Sequence, residues 1–363
     1  MATASIIARD RRSVTSAILE TLAAKPLLLA FVLVAVGAGI RAFGTVDSDV
    51  SWQLWIAHQL NGGARLYSDI IETNPPLWFW MGMPVDRLAL VTHLGSDHAL
   101  IIVIGCLALL SLIATNRLIR SIGAKRRALL LTYGALVLVA IPWLQFGQRE
   151  QIVLIGTLPY AALIGARSAG REVPARFAFI LGAFAAAGFA LKHYFLIVPI
   201  LLELWLLACQ RKNWRPLRPE IVAMAVVGGL YAASFVLIAS NYLSVALPLI
   251  LLAYGVTGAE RLVDLFQPAV LVALATLALV SAHPRVLRLD KSGFAAALTI
   301  AAIGFAGAYF VQAKGWTYHA VPFEGCAALA LATFLVVGEK PPRIAALAAP
   351  VLLCLPFWIA AQQ

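Results

Sequence analysis

The chain has 363 residues, 62% of them hydrophobic and only 12% charged, with a mean hydropathy of +0.89. A soluble domain is about 45–50% apolar and about 25% charged, so one polytopic membrane bundle is expected in place of the two soluble domains the length would allow. The formal net charge of +11 does not indicate a nucleic-acid partner, because the basic residues sit in short loops between apolar runs, as positive-inside topology requires. Cys106, Cys209, Cys326 and Cys354 lie in or beside apolar runs without metal-ligand spacing, and are read as reduced.

Residues 1–25 carry Arg9, Arg11, Arg12 and Lys25 and are expected in the cytoplasm. No small-residue cleavage site follows the first apolar run, so that run is read as a retained span over 26–43, close to the roughly 20 residues needed to cross. Residues 44–96 form the first outer loop. Its segment 46–80 is the longest polar stretch in the chain and holds Asp47, Asp49, Asp69 and Glu72. Trp52, Trp55, Ile56 and Leu60 recur there at helical spacing, Asn61-Gly62-Gly63 stops that helix, and Asn74-Pro75-Pro76 breaks the chain again. Asn74 is a candidate helix cap and the prolines suit a first helical turn.

The segment 75–91 decides the topology. It is apolar but short, is interrupted by Pro84 and contains Asp86-Arg87. If it crossed, the run Arg117, Arg120, Lys125, Arg126, Arg127 would lie outside, against the orientation rule. It is therefore read as a surface or re-entrant helix. Spans then alternate over 99–115, 128–144, 151–166, 177–191, 194–209, 221–240, 268–282, 294–312, 320–337 and 344–360, with an apolar piece at 245–254 as a further interfacial helix. Of the 28 Lys and Arg residues, only Arg41, Arg65, Arg87, Arg149, Lys192, Arg261 and Lys314 fall on the outer side. The expected fold is an all-α polytopic membrane protein of about eleven transmembrane helices. It forms a single transmembrane domain over 1–363, with interfacial helices in its first outer loop and no soluble C-terminal domain.

The outer turns bring Asp47, Asp49, Asp69, Glu72, Arg149, Glu150, Lys192, His193, Lys314, Tyr318 and His319 to one face. Charges at the ends of apolar spans are costly unless they meet water, a partner or a cavity. Acids come from the first loop and cations from later turns. That division suits a substrate with a phosphate, held by charge-assisted hydrogen bonds, and a group deprotonated by a carboxylate. Each residue also has a structural reading. Asp47 or Asp49 caps the helix starting near Val50, Arg149 and Glu150 pair with each other, and Lys192 and Lys314 snorkel to the interface. His193 and His319 are satisfied structural histidines, and Trp316 and Tyr318 belong to an aromatic belt. No phosphate-binding loop, dinucleotide fingerprint or zinc spacing is present, which excludes a nucleotide-fuelled pump and a flavin enzyme.

Asp-x-Asp after the first span, followed by Gly63-Ala64-Arg65-Leu66-Tyr67-Ser68-Asp69 and Asn74-Pro75-Pro76-Leu77-Trp78-Phe79-Trp80, resembles the GT-C superfamily of membrane glycosyltransferases. Within it, the pattern is similar to the protein mannosyltransferase and aminoarabinose transferase group, family 39-type. The resemblance covers about residues 25–120 and loosens through Arg149-Glu150, Lys192-His193 and Trp316-x-Tyr318-His319. It implies inverting transfer of a sugar from a polyprenyl-phosphate donor to a glycan, lipid or protein acceptor on the outer face of a bacterial inner membrane. The donor's isoprenoid tail would lie among the helices and membrane lipids, and eleven crossings from a cytoplasmic N-terminus would leave the C-terminus outside. Asp49 matches the family's catalytic acid, because Trp52 follows it three residues on where the family has Tyr. Ser48 stands where the family often has Asp, which leaves Asp47 as a rival. With the charge division above, Lys192, Arg149, Lys314 and His319 are expected to hold the donor phosphate. Tyr67, Asp69, Glu72, Glu150, His193, Trp316 and Tyr318 line the sugar or acceptor pocket. A divalent cation such as Mg or Mn has room beside the acids, and the sequence requires none. The readings from other classes are a secondary transporter or flippase of a lipid-linked saccharide and a non-catalytic scaffold of a polysaccharide export complex.

Overall fold

A computed structural model of the protein describes residues 25–257, 265–282 and 292–337, together with Trp358. Among the described residues the chain is helical, and its one extended pairing is an isolated bridge between Leu66 and Ile70. The α-helices are α1 (Leu28–Arg41), α2 (Ser48–Asn61), α3 (Leu77–Thr92), α4 (Ser96–Leu118), α5 (Ala124–Ala140), α6 (Arg149–Ser168) and α7 (Ala175–Phe189). They continue with α8 (Ile197–Gln210), α9 (Pro219–Leu237), α10 (Leu247–Thr257), α11 (Pro268–Ser281), α12 (Phe294–Gln312) and α13 (Thr317–Val337). Five helical units are long and apolar enough to cross a membrane: Ser96–Leu118, His193–Asn213, Pro219–Leu237, Phe294–Gln312 and Thr317–Val337. Shorter apolar helices stand where the sequence places the spans over 26–43, 177–191 and 268–282.

Helix α6 is the axis of the bundle. Every residue from Arg149 to Ala166 is buried, and α4, α7, α8, α12 and α13 pack around it. Its 20 residues rise about 30 Å, the thickness of a bilayer's hydrocarbon core. Enclosure explains its composition: a helix shielded from lipid can carry Gln151, Thr157 and Tyr160 where their polar atoms find partners. Thr157 donates to the Val153 carbonyl at 2.7 Å, and Ser111 of α4 donates across to the Ile155 carbonyl at 2.7 Å. Around this axis α12 packs on α13, α7 on α9, and α1 on α5. The contact of α7 with α9 depends on Gly182, where a Cβ would lie 2.4 Å from the Glu220 carbonyl oxygen. Small residues allow such backbone approach, the usual device for packing helices in lipid. The rest of helix α9 is exposed or half-buried, with only Glu220, Ala223 and Ser234 buried.

The segment expected as a surface or re-entrant helix is α3, which is too short and charged to stand with the five long apolar helices. It packs on α2 and α4 and buries Trp78, Phe79 and Val85. Two details differ from expectation. Pro84 does not interrupt the helix, and Pro76, not Asn74, occupies the N-cap. The Asn74 side chain instead donates to nearby Glu72 and accepts from distant Arg149. Arg149, Glu150, Tyr318 and His319, expected in turns, lie in the first turns of α6 and α13. The apolar piece at 245–254 falls on a π-turn (Tyr242–Ala246) and α10. Cys106, Cys209 and Cys326 are free thiols. Outside the described residues lie the basic stretch before Lys25, Glu260, Arg261, Asp264, Arg285, Arg288, Lys291, Lys340, Arg343, Cys354 and the span over 344–360 apart from Trp358.

The bundle has two chemically distinct ends. One gathers the starts of α2, α6 and α13 with the ends of α7 and α12, through contacts among Asp49, Gln148, Glu150, Lys192 and Gln312. The other gathers the ends of α4, α6 and α8 with the starts of α9 and α12, through Arg171, Arg167 and Gln210. Single cysteines at Ser68 and Trp316, in a background lacking native thiols, should react with a membrane-impermeant reagent from the same side of the membrane. Cysteines at Ser121 and Asn213 should react only from the opposite side. Reaction of Ser121→Cys and Ser68→Cys from one side would mean that α3 crosses.

Candidate functional site

Asp47 caps α2: its Oδ1 accepts from the Asp49 backbone N–H at 2.9 Å, the usual way an N-cap satisfies a free helix donor. Asp49 follows in the first helical turn, exposed to solvent, where the helix dipole favours a carboxylate. Gln148 reaches both acids, its Nε2 lying 3.2 Å from Asp47 Oδ1 and 3.4 Å from Asp49 Oδ2. The turn carrying Gln148 is held by Gly147, at φ +91. A Cβ there would approach the Leu100 side chain to 2.6 Å. Gln151 pins the same turn, accepting from the Gly147 N–H at 2.7 Å and donating to the Leu138 carbonyl at 2.9 Å.

Arg149 and Glu150 are neighbours in α6 and point to different partners, since adjacent helix residues do not share a face. Arg149 donates through Nη1 to Asn74 Oδ1, and its guanidinium carbon lies 4.6 Å from the Trp78 ring centroid, within cation–π range. Asn74 in turn donates through Nδ2 to Glu72 Oε1 at 2.9 Å. The other Glu72 oxygen accepts from Trp52 Nε1 at 2.6 Å, and Tyr67 donates its hydroxyl hydrogen to the Asn74 carbonyl at 2.7 Å. Tyr67 sits at φ +67, a sparsely occupied region for a bulky residue that costs of order 1–3 kcal/mol. The loop thus forms one chain of bonds from the exposed face of α2 to the buried start of α6.

Glu150 is fully buried and forms an ion pair with Lys192, which also donates to Gln312 Oε1 at 3.3 Å. His319 Nε2 lies 3.8 Å from the same Glu150 oxygen, and the Tyr318 ring centroid is 5.4 Å from Lys192 Nζ. The charges of Arg149 and Asp49 also act on Lys192, so the exposed acid and the buried cation lie within one electrostatic field. Burial pulls the Lys192 ammonium down to about 8, and Glu150 only partly offsets this. Among the described residues, Arg149 Nε, Glu150 Oε2 and His319 Nδ1 are buried without a hydrogen-bond partner.

Several expectations change at this level. Arg149 and Glu150 do not pair with each other, and Lys192 does not snorkel but is buried against Glu150. Asp69 turns away from the cluster, accepting from the Arg65 backbone N–H at 2.8 Å and facing its guanidinium. Those bonds hold the Asp69 carboxyl below the usual range. His193 is exposed and lies against Tyr194, the rings tilted by 40° with centroids 3.9 Å apart. Lys314 is half-buried in the turn before α13, and its charge reaches His319. Trp316 is exposed, its ring 5.2 Å from His319. No three metal-ligating side chains come together among the described residues, and the Gln148 amide reaches both acids beside which Mg or Mn has room by sequence.

Sequence reasoning overlooked Gln148, Trp78 and Gln312 and assigned Asn74 a different task. Polar residues beside charges at span ends were the available signal. No protein-family model and no curated protein matches this chain.

Lys192→Met leaves Glu150 buried without its cation. It should lower stability by about 3–5 kcal/mol, read as unfolding of the detergent-purified protein. Glu150→Gln combined with Lys192→Met should recover most of that loss. A double variant as unstable as the single would show that the two side chains do not act as a pair.

Proposed function

We propose that the protein is an inverting membrane glycosyltransferase of GT-C type, moving a sugar from a polyprenyl-phosphate donor to an acceptor at the bundle end that holds Asp49. The observation that carries this reading is the bridge made by Gln148. It places an exposed carboxylate against the start of α6, where Arg149, Lys192 and His319 supply buried donors around a single neutralising acid. An exposed base next to a buried cation cluster is the arrangement that in-line displacement of a lipid phosphate needs.

In this mechanism Arg149 and Lys192 bind the donor phosphate by charge-assisted hydrogen bonds, using donors such as Arg149 Nε that the protein leaves unpaired. Asp49 takes the proton from the acceptor hydroxyl or amine as its oxygen or nitrogen attacks the anomeric carbon. The bond to phosphate breaks on the opposite side, which inverts the centre. The departing phosphate is a stable anion, so its charge is met by the two cations and no protein acid need protonate it. Glu150 holds Lys192 in place, while Trp52, Tyr67 and Glu72 shape the wall through Asn74. The same reading places this end on the outer face of a bacterial inner membrane, with about eleven crossings in all and a cytoplasmic N-terminus.

Asp49→Asn keeps the shape of the side chain and leaves the Asp47 cap in place while removing the base. Transfer should fall by about a hundredfold or more, with folding and donor binding retained. Asp47→Asn should transfer nearly normally, because Asn caps about as well as Asp. Near-normal sugar transfer by both variants would sink the mechanism.

The ammonium form of Lys192 is the phosphate-binding form. Free-enzyme affinity for the donor should therefore weaken as pH rises through about 8, approaching tenfold per unit for one linked proton. An ordinary lysine would hold its charge to about 10.4. Affinity unchanged between about pH 7 and pH 9.5 would show that no group titrating in that range holds the phosphate.

A further inference from the structure

The end of the bundle opposite Asp49 holds a cavity of about 470 Å³ between the end of α4, the end of α6 and the start of α7. Its size falls in the range of small-ligand sites, about 300–1,000 Å³. Arg117, Arg120 and Arg171 line it against one acid, Glu172, and its remaining wall is apolar, including Val173 and Phe177.

The three arginines are not equivalent. Arg171 is committed to the protein, donating to the Leu118 carbonyl at 2.6 Å and to the Ser292 carbonyl at 3.0 Å. The carbonyls of Arg120 and Ile122 are served by Arg127. Those bonds satisfy the end of α4 without using the guanidinium groups of Arg117 and Arg120. Among the described residues neither of these two side chains donates a hydrogen bond or forms an ion pair; Arg117 has only the Phe177 ring, 5.8 Å away. Both are exposed. From Phe177 the same face of α7 continues to Ile180, three residues on, which is 62% exposed. The cavity therefore has cationic forks at its mouth and an apolar strip leading from it along a helix.

We infer that this cavity binds the phosphate of an anionic glycerophospholipid. Arg117 and Arg120 hold the head group by charge-assisted hydrogen bonds, and an acyl chain lies along Phe177 and Ile180. Arginine forks suit phosphate oxygens, and basic pockets between membrane helices suit anionic head groups. The site is separate from the proposed transfer chemistry and stands or falls without it.

Native mass spectrometry of the full chain in detergent tests this with phosphatidylglycerol, phosphatidylcholine and inorganic phosphate as probes. The wild type should retain phosphatidylglycerol over phosphatidylcholine. Arg117→Gln/Arg120→Gln should reduce that retention by about tenfold or more at an unchanged unfolding temperature, since both side chains are exposed. Arg117→Lys/Arg120→Lys should restore it in part. Arg211→Gln/Arg215→Gln, which removes the same charge from the exposed turn after α8, should leave retention intact. Equal loss in that control, or no loss in the first variant, would overturn the proposal. Displacement of phosphatidylglycerol by millimolar inorganic phosphate would assign the site to free phosphate and overturn the lipid assignment.

Discussion

Glu150 lies in the first turn of a helix that is enclosed from Arg149 to Ala166, and its carboxylate lies wholly out of solvent. Desolvating such a charge costs several kcal/mol unless geometry and hydrogen bonds offset it. The ion pair with Lys192 is the principal offset, and it requires the turn between α7 and α8 to approach the start of α6. Gln312 from the end of α12 and His319 from the first turn of α13 complete the surroundings. One buried acid thus ties elements far apart in sequence to a single point, and the packing of α12 and α13 around α6 follows the same geometry.

The opposite end solves a similar problem with arginine. Glu220, also fully buried, accepts a two-pronged contact from Arg167, with both distances 3.1 Å, and a third bond from Arg218 at 2.9 Å. Arg218 also reaches Glu203 on α8. This network joins α6, α8 and α9, which matters because α9 buries little else. The two ends differ in what they leave available. The Glu220 carboxylate is met on both oxygens, whereas the Glu150 cluster retains buried polar atoms without partners.

The first loop supplies an acid open to solvent, Asp49, beside the start of α6. Helices α2 and α3 form their own unit, in which buried Asp86 faces His58 at 3.1 Å and accepts from Asn61 at 2.8 Å. Gln53 donates to the Trp78 carbonyl at 2.6 Å. That clamp fixes the direction of α2, and with it Asp49 in the first turn. Trp52 and Trp55 stack on the exposed side of the helix, 4.7 Å between centroids, beside the acid.

Much of this was legible in the sequence. Apolar runs of membrane length, the stop at Asn61-Gly62-Gly63 and the charge of Asp86-Arg87 determined where helices lie and that α3 stands apart from the long apolar set. Those are local properties, set by hydropathy and turn chemistry over a few residues. A cap at Asp47 or Asp49 was legible for the same reason, and the fold gave it to Asp47. The tertiary structure decided the rest. Whether Glu150 pairs with Arg149 or Lys192, whether Asn74 caps a helix or holds an arginine, and whether Lys192 reaches water or is buried all depend on which helices meet. Helix α6 is the clearest case: its polar content weakens its signal as a span, and only its enclosure by neighbouring helices makes that content tolerable. Pairing among buried polar groups is set by distance in space, and the order of residues along the chain carries that distance only through the packing of the whole bundle.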